Sequence, residues 1–348
     1  MFEHEQVVIR TGARSGLPVI IALHSTVLGP ALGGCRLAVY PHWTDGLTDA
    51  LRLSAAMTLK CAVAGLPNGG GKTVVPLPTD AVDRRAVLLD VGDAIEDLGG
   101  RYGTGPDVGT SPDDMLVIGT RTRHVACRPV SAGGSGDSST HTAAGVVAAL
   151  HAVCASVFGT PDLTGRRFAV VGLGRVGADV AHRLSAAGAT LLLSDVDPAR
   201  QALAASLGAT LVPPETALQS DVDVLVPAAL GGVLTPATVP LLRCRAITGP
   251  ANNQLDADTT ADLLHARGIT WVPDHVASAG GVAYAASVEL HGASPTEAAS
   301  RVEAIGTTVA TLLDTATHAG ITPLAAAHAL AASRLSATVI GADRGGTR

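Results

Sequence analysis

The chain has 348 residues, 47% of them apolar, which is enough for two hydrophobic cores and exceeds the usual size of one domain. Its formal charge is -6 and its Arg residues are spread along the chain, so no basic stripe marks it for nucleic acid or for an anionic membrane. Five scattered Cys without C-x-x-C spacing argue against a disulfide framework or structural zinc, and His24, His42, His141, His265 and His275 form no tight ligand pair, so no metal is expected.

The opening MFEHEQVVIR carries acids where a signal peptide has basic residues and an apolar run, and no stretch reaches about 18 uninterrupted apolar residues. A cytoplasmic protein is expected. Residues 1–130 mix the strand-like runs QVVIR, PVIIALHS and CRLAVY with a helix-like stretch from Thr44 to Leu59, where Leu47, Leu51 and Ala55 recur at helical spacing. This pattern predicts an α/β domain.

Only two of the 24 basic residues are Lys, and both lie in MTLKCAVAGLPNGGGKT, as Lys60 and Lys72. Arg stays protonated at any working pH, whereas a Lys that is buried or beside another cation can lose its proton and serve as a base. If the two share a cleft, Lys60 can hold a carboxylate while its charge, with burial, lowers the pKa of Lys72 to make a general base. A phosphate loop is excluded, because its pattern needs Gly where Leu66 stands and no apolar strand runs directly into the glycines. Asp107, in TGPDVGT, is predicted on a rigid, exposed turn, where it is either a third proton-transfer group or a plain Asx-turn residue.

The segment SAGGSGDSST (131–140) reads as a hinge before the apolar helix TAAGVVAALHAVCA. After Arg166 strand and helix alternate: RFAVVG, RVGADVAHRLSAAG, ATLLLSD and PARQALAASLG, then VDVLVP, RAITG and ITWVP. Such alternation predicts a doubly wound, mostly parallel Rossmann-type sheet over residues 131–319, and two domains with a cleft between them. The helical region that closes the chain, about 320–348, is expected to pack back on the first domain. Gly172-Leu173-Gly174-Arg175-Val176-Gly177 follows a strand and opens a helix, and Asp195 ends the next strand. The glycines admit a tight turn, a pyrophosphate and close helix packing, and Asp195 would accept from the adenosine ribose. A carboxylate there, followed by Val196 rather than Arg, favours NAD over NADP.

HSTVLGPALGGCR, the Lys60/Lys72 segment, TGPDVGT, GGSGDSSTHT, GLGRVG, PAALGGVL, GPANNQL and PDHVASAGG follow one another as they do in the Glu/Leu/Phe/Val dehydrogenase family, and the chain resembles its phenylalanine, leucine and valine branch almost end to end. The resemblance implies NAD-dependent, reversible oxidative deamination of an apolar L-amino acid to its 2-oxo acid and ammonium, by a homo-oligomer assembled through the N-terminal domain. It implies that Lys60 binds the substrate carboxylate, Lys72 activates water and Asp107 shuttles protons. Gly33 and one of Asn252 and Asn253 would hold the amine; Leu32, Gly105, Val282 and Ala285 would line the side-chain pocket; and Thr142, Ala228, Asn252 and the GLGRVG and Asp195 motifs would contact the cofactor.

No cation stands among the pocket positions, which excludes an acidic substrate, and Gly105 and Ala285 leave room for a bulky apolar or aromatic side chain, although other motifs look equally valine-type. One departure is Ser278, where the family has Asn at the nicotinamide end; the shorter side chain predicts weaker cofactor binding, by about 1 kcal/mol. A milder one is Ser138 and Thr140, where many members have Pro. Two other readings compete. A 2-hydroxy acid dehydrogenase would share the dinucleotide fold but use His and Arg, and an idle NAD-binding sensor would not need intact Lys60, Lys72 and Asp107.

Overall fold

The structure, a computed structural model, describes residues 3–345, with side chains through residue 338. It divides into two compact units, the first formed by Met1–Ser138, Ala283–Ala298 and Ala331–Arg348, the second by Ser139–Val282 and Ala299–Leu330.

In the first unit, strands β1 (Gln6–Thr11), β2 (Pro18–Ser25), β3 (Ala31–Val39), β4 (Gly69–Leu77) and β5 (Tyr102–Pro106) form one mixed sheet in the order β1-β2-β4-β3-β5. β1, β2 and β4 pair antiparallel, while β3 runs parallel to both β4 and β5. Helix α1 (Trp43–Ala64) covers one face, where Ile20, Ala22 and Val74 pack on Ala50. Helices α2 (Arg84–Glu96) and α3 (Pro112–Gly119) cover the other, where Ile21, Leu23, Cys35, Val75 and Tyr102 meet Leu88, Ile95, Met115 and Ile118. Alternation along each strand thus assigns Gly34, Arg36, Lys72, Gly105 and Asp107 to the face of α1.

The glycines before Lys72 begin β4 itself. A Cβ at Gly70 would lie 2.1 Å from the Thr58 backbone nitrogen, and one at Gly71 2.7 Å from the Tyr102 ring. With a helix pressed on one side and an aromatic ring on the other, only glycine fits. Gly65, left-handed at φ 69°, ends α1 and returns its N–H to Cys61 and Ala62. Arg334, in α12 (Pro323–Gly345), donates to the carbonyls of Ala62 and Val63 at 2.6 and 2.7 Å, which satisfies acceptors the helix end leaves open. The last residues of the expected closing helix, 346–348, lie outside the described residues.

Residues 283–298 belong to the first unit, whereas the sequence expectation kept them with the dinucleotide-binding segment. The reason is Glu289, whose side chain is 1% exposed and accepts the backbone N–H groups of Cys127 (2.6 Å) and Ser135 (2.8 Å), the Ser135 hydroxyl and Arg128 Nε. It lies in a π-helical turn, Ala286–Leu290, that continues α10 (Gly280–Ala285).

The second unit begins with α4 (Ser139–Phe158), followed by β6 (Arg167–Val171), α5 (Arg175–Ala186), β7 (Thr190–Ser194), α6 (Gln201–Ser206), β8 (Thr210–Val212), α7 (Pro214–Gln219), β9 (Val224–Pro227), β10 (Ala246–Ile247), α8 (Thr259–Ala266), β11 (Thr270–Trp271) and α9 (Asp274–Ala277). The sheet is parallel throughout, ordered β11-β10-β9-β6-β7-β8. This is the doubly wound Rossmann order, which reverses direction between β6 and β9 and opens a crevice at their carboxyl ends. α4 is long and apolar enough to cross a membrane by length and composition. Here it is a core helix, with Ala143, Val146, Ala149, Leu150 and Val153 buried and α5 packed beside it. α11 (Pro295–Ala319) and α12 supply the helices expected near the end of the chain.

Candidate active site

In the first unit the sheet register builds the site. Leu32 pairs with Gly70 and Cys35 with Thr73, so Gly34 lies beside Lys72; on its other side Gly34 pairs with Gly105. One row across the sheet is therefore Lys72, Gly34, Gly105, and the next brings Arg36 alongside Asp107. A Cβ at Gly34 would stand 2.7 Å from Asp107 Cβ and 3.2 Å from Lys72 Nζ. Gly34 is thus a saddle over which Lys72 reaches diagonally to place Nζ 2.6 Å from Asp107 Oδ2.

Both groups are largely buried, with side-chain exposures of 7% and 21%. Burial lowers the Lys72 pKa from the ordinary 10.5, Asp107 works against that, and Arg36 adds to the lowering. For Asp107, burial pushes upward, but Lys72 and Arg36 prevail and hold the carboxyl below its usual range. One sequence expectation is corrected here. Asp107 is not on an exposed turn: it closes a buried ion pair, its N–H donating to Thr110 Oγ1, which in turn donates to the Cys35 carbonyl. Arg36 is a cation whose charge adds to the lowering of Lys72, and Lys60 is half-buried on α1.

Arg36 is the residue that sequence reasoning passed over. Its Nε donates to Asp107 Oδ2 at 2.9 Å and its terminal nitrogen to Asp49 Oδ2 at 2.7 Å, while Tyr40 donates to the same Asp49 oxygen at 2.6 Å. The signal was present in GGCR, since Arg36 has the strand parity of Gly34. The Gly33 carbonyl accepts from Tyr102 (2.9 Å) and Thr104 (3.1 Å) in the buried face.

Leu32 is buried in β3, on the strand face of Gly34. Gly105 and Ala285 share neighbours: a Cβ at Gly105 would lie 3.8 Å from the Ala126 carbonyl and 4.0 Å from Cys127 Sγ, and Ala285 packs on Ala126, Cys127 and Leu290. Cys127 is left-handed, at φ 60°, and burial pushes its thiol up to about 12. Val282 falls in the second unit.

In the second unit, the Gly172–Gly177 loop leads from β6 into α5. Gly172 has φ 104°, and a Cβ there would meet Ala229 at 2.6 Å; one at Gly177 would lie 1.9 Å from the Gly172 carbonyl. Gly174 differs: a Cβ there meets nothing within 4 Å, and no side chain caps α5 at this residue. Open space at Gly174, where α5 begins, is what a pyrophosphate at a helix N-terminus requires. Asp195 follows β7 directly, with Oδ2 accepting the Leu173 N–H (2.6 Å) and Oδ1 that of Asp197 (2.9 Å). Its burial raises the carboxyl, but these bonds outweigh that and keep it charged. The residues present fit a dinucleotide. Ala228 donates its N–H to Val171 at the end of β6 and flanks Gly172 and Gly177.

The loop carrying Asn252 and Asn253 is held by buried Gln254, which donates to the carbonyls of Gly249 and Ala251 and accepts from Trp271. Asn252 is exposed; Asn253 is left-handed, at φ 52°, and donates its N–H to Asp274. Ser278 is buried at the end of α9, and Thr142 is half-buried in the first turn of α4. A Cβ at Gly280 would lie 2.2 Å from the His141 carbonyl, so the glycine after Ser278 lets this segment lie against α4.

Residues 3–124 match the family described as Glu/Leu/Phe/Val dehydrogenase, dimerisation domain, and residues 196–340 match Glutamate/Leucine/Phenylalanine/Valine dehydrogenase. The chain is 40% identical over 336 residues to leucine dehydrogenase from Bacillus cereus, spanning 96% of this chain and 92% of that one. It is 38% identical over 337 residues to valine dehydrogenase from Streptomyces albus, spanning 96% and 92%. The solved L-tryptophan dehydrogenase from Nostoc punctiforme superposes with a TM-score of 0.85 at 35% identity, covering 97% of each chain. With a buried Lys–Asp pair on one sheet, a dinucleotide loop on the other and similarity along nearly its whole length, the chain belongs to the Glu/Leu/Phe/Val dehydrogenase family of amino acid dehydrogenases, which are NAD(P)-dependent oxidoreductases.

Proposed function

We propose that this protein is an NAD-dependent dehydrogenase that converts an apolar L-amino acid to its 2-oxo acid and ammonium. The observation that carries the reading is Lys72 Nζ seated 2.6 Å from Asp107 Oδ2, a buried base joined to a proton carrier. When bound, the dinucleotide supplies the acceptor for the hydride that leaves the substrate α-carbon. Lys60 holds the substrate carboxylate, and Gly33 with Asn252 or Asn253 its amine. Lys72 takes a proton from water as the oxygen bonds to the imine carbon. Asp107 carries a proton to the nitrogen and then takes the proton of the new hydroxyl as the C=O bond forms, the C–N bond breaks and ammonia departs. Because burial lowers the Lys72 pKa, neutral Lys72 is available below the 10.5 of an ordinary lysine, and activity rises with pH through that limb.

Asp195 selects NAD, since a carboxylate at this position repels a 2'-phosphate. Thr142, Arg175, Val176 and Ser278 complete the cofactor contacts. Leu32, Gly105, Val282 and Ala285 leave space for a bulky apolar side chain and present no cation to a second carboxylate. The matched dimerisation domain supports a homo-oligomer, and the enzyme works in the cytoplasm.

The test is initial-rate absorbance of reduced cofactor at alkaline pH with NAD or NADP against Phe, Trp, Leu, Val, Ile, Met, Glu and the matching 2-hydroxy acids. Turnover of apolar amino acids with NAD is expected, with ammonium released one for one. Turnover of 2-hydroxy acids instead, or NADH binding with no turnover on any of them, would overturn the reading.

A further inference from the structure

We infer that Arg36 is a positioning residue that fixes Asp107 by its Oδ2 edge and, braced by Asp49, sets the charge balance in which Lys72 works. The inference rests on the acid–base roles of Lys72 and Asp107 proposed above.

The geometry is a chain of alternating charge. Lys72 Nζ (2.6 Å) and Arg36 Nε (2.9 Å) both take Asp107 Oδ2. Among the described residues no hydrogen bond reaches Oδ1, so the two cations pin one oxygen and leave the other for a proton in transit. The opposite side of the guanidinium is held at Asp49 Oδ2, 2.7 Å away, and Asp49 is itself fixed by Tyr40 at 2.6 Å and Arg52 at 2.8 Å. Arg36 is 20% exposed, and its planar fork touches both carboxylates at once, which the single ammonium of a lysine would not do with the same rigidity. Nothing in this arrangement requires Arg36 to touch substrate: it acts through Asp107.

The groups whose charge acts on Lys72 include Asp107, just after β5, and Arg36 from β3, with Cys35 of β3 acting from the opposite face of the sheet. Cys35 is pushed up to about 12 by burial and stays neutral, so the ionic balance lies between Asp107 and Arg36. Those facing Arg36 are Asp107 and Asp49, with Tyr40, itself pushed up to about 12, and Arg52 behind Asp49. The signs then separate. Removing the positive charge of Arg36 makes protonated Lys72 easier to keep and moves its titration to higher pH. Removing the negative charge of Asp49 leaves Arg36 less compensated and moves it to lower pH.

The chain contains only two lysines, so lysine labelled with nitrogen-15 at Nζ yields two side-chain signals, assigned with Lys60→Arg. The experiment follows the Lys72 signal against pH in the intact protein, alongside kcat–pH profiles, for wild type, Arg36→Gln, Arg36→Lys, whose third lysine signal is assigned with Lys72→Arg in the same background, and Asp49→Asn. Arg36→Gln is expected to shift the Lys72 titration and the matching kcat limb upward by about one pH unit. Asp49→Asn should shift both downward, Arg36→Lys should fall between wild type and Arg36→Gln, and NADH binding should be unchanged in all. A purely structural role moves no titration, or moves Arg36→Gln and Asp49→Asn in the same direction, and either result overturns the inference. Should Arg36→Gln fail to fold, Arg36→Lys and Asp49→Asn still give opposite signs or refute them. The resonance shift reads Arg36 without activity, so a Lys72→Ala enzyme of wild-type rate would overturn the base assignment while leaving the electrostatic result to stand or fall by itself.

Discussion

Replacing Gly34 by alanine tests the saddle directly. The new Cβ would lie 2.7 Å from Asp107 Cβ, 3.1 Å from the Pro106 carbonyl and 3.2 Å from Lys72 Nζ. Two carbons rest at about 3.5–4.0 Å, so Asp107 must retreat by roughly 1 Å. Gly34 is not among the positive-φ glycines, so the backbone accepts alanine and the whole effect falls on the pair. Displacing reacting groups by about 1 Å costs on the order of 100-fold in rate, about 2.7 kcal/mol of barrier. Overpacking itself costs about 1–3 kcal/mol of stability. The assay is kcat and KM for the preferred amino acid beside NADH titration and thermal melting. We expect kcat to fall about 100-fold with NADH affinity unchanged and the protein still folded. A folded Gly34→Ala enzyme with kcat within threefold of wild type would refute the claim that the Lys72–Asp107 contact governs turnover.

Three further outcomes follow from the geometry. A methyl added as Gly105→Ala makes only ordinary contacts, at 3.8 and 4.0 Å, so folding is unaffected while the pocket narrows; kcat/KM for Phe relative to Val should fall on the order of tenfold, and an unchanged ratio would remove Gly105 from the pocket. Asp195→Ala should lower the preference for NAD over NADP by about 10- to 100-fold in kcat/KM, as expected when a charged acceptor is lost; equal preference before and after would show that Asp195 does not read the ribose. Glu289→Ala strips its acceptor from a site where the carboxylate is 1% exposed and meets Cys127, Arg128 and Ser135. It should cost about 3 kcal/mol and lower Tm by roughly 5–10 °C, and a change under 2 °C in a melting scan would mean the segment is held by other contacts.

The features legible in the sequence were those whose cause is local. The glycine loop between β6 and α5 could be read because turn and helix packing act within Gly172–Gly177, and the strands after Arg166 announce themselves by apolar runs. β4 could not, because three glycines have poor strand propensity and the reason for them is tertiary: Ser54, Thr58 and Tyr102 occupy the space their side chains would need. β5, with Gly103 and Gly105 among its residues, was hidden likewise. Lys72 and Asp107 were found through lysine scarcity and a turn-like context, but the exposure of Asp107 was misjudged, since TGPDVGT does not reveal that β3 brings Arg36 against it. The strand parity of Arg36 could be read from GGCR but its partners could not, because they stand 13 and 71 positions away, joined by sheet register and the packing of α1. Glu289 is a parallel case, its partners being 154 to 162 positions distant.

The most direct measurement of the central claim is turnover by Lys72→Ala, with NADH fluorescence titration on the same protein. If Lys72 is the base of an amino acid deamination, kcat falls by about 10²- to 10⁴-fold or more while NADH binds as it does to wild type. Wild-type turnover in a Lys72→Ala enzyme that binds NADH normally would contradict the account.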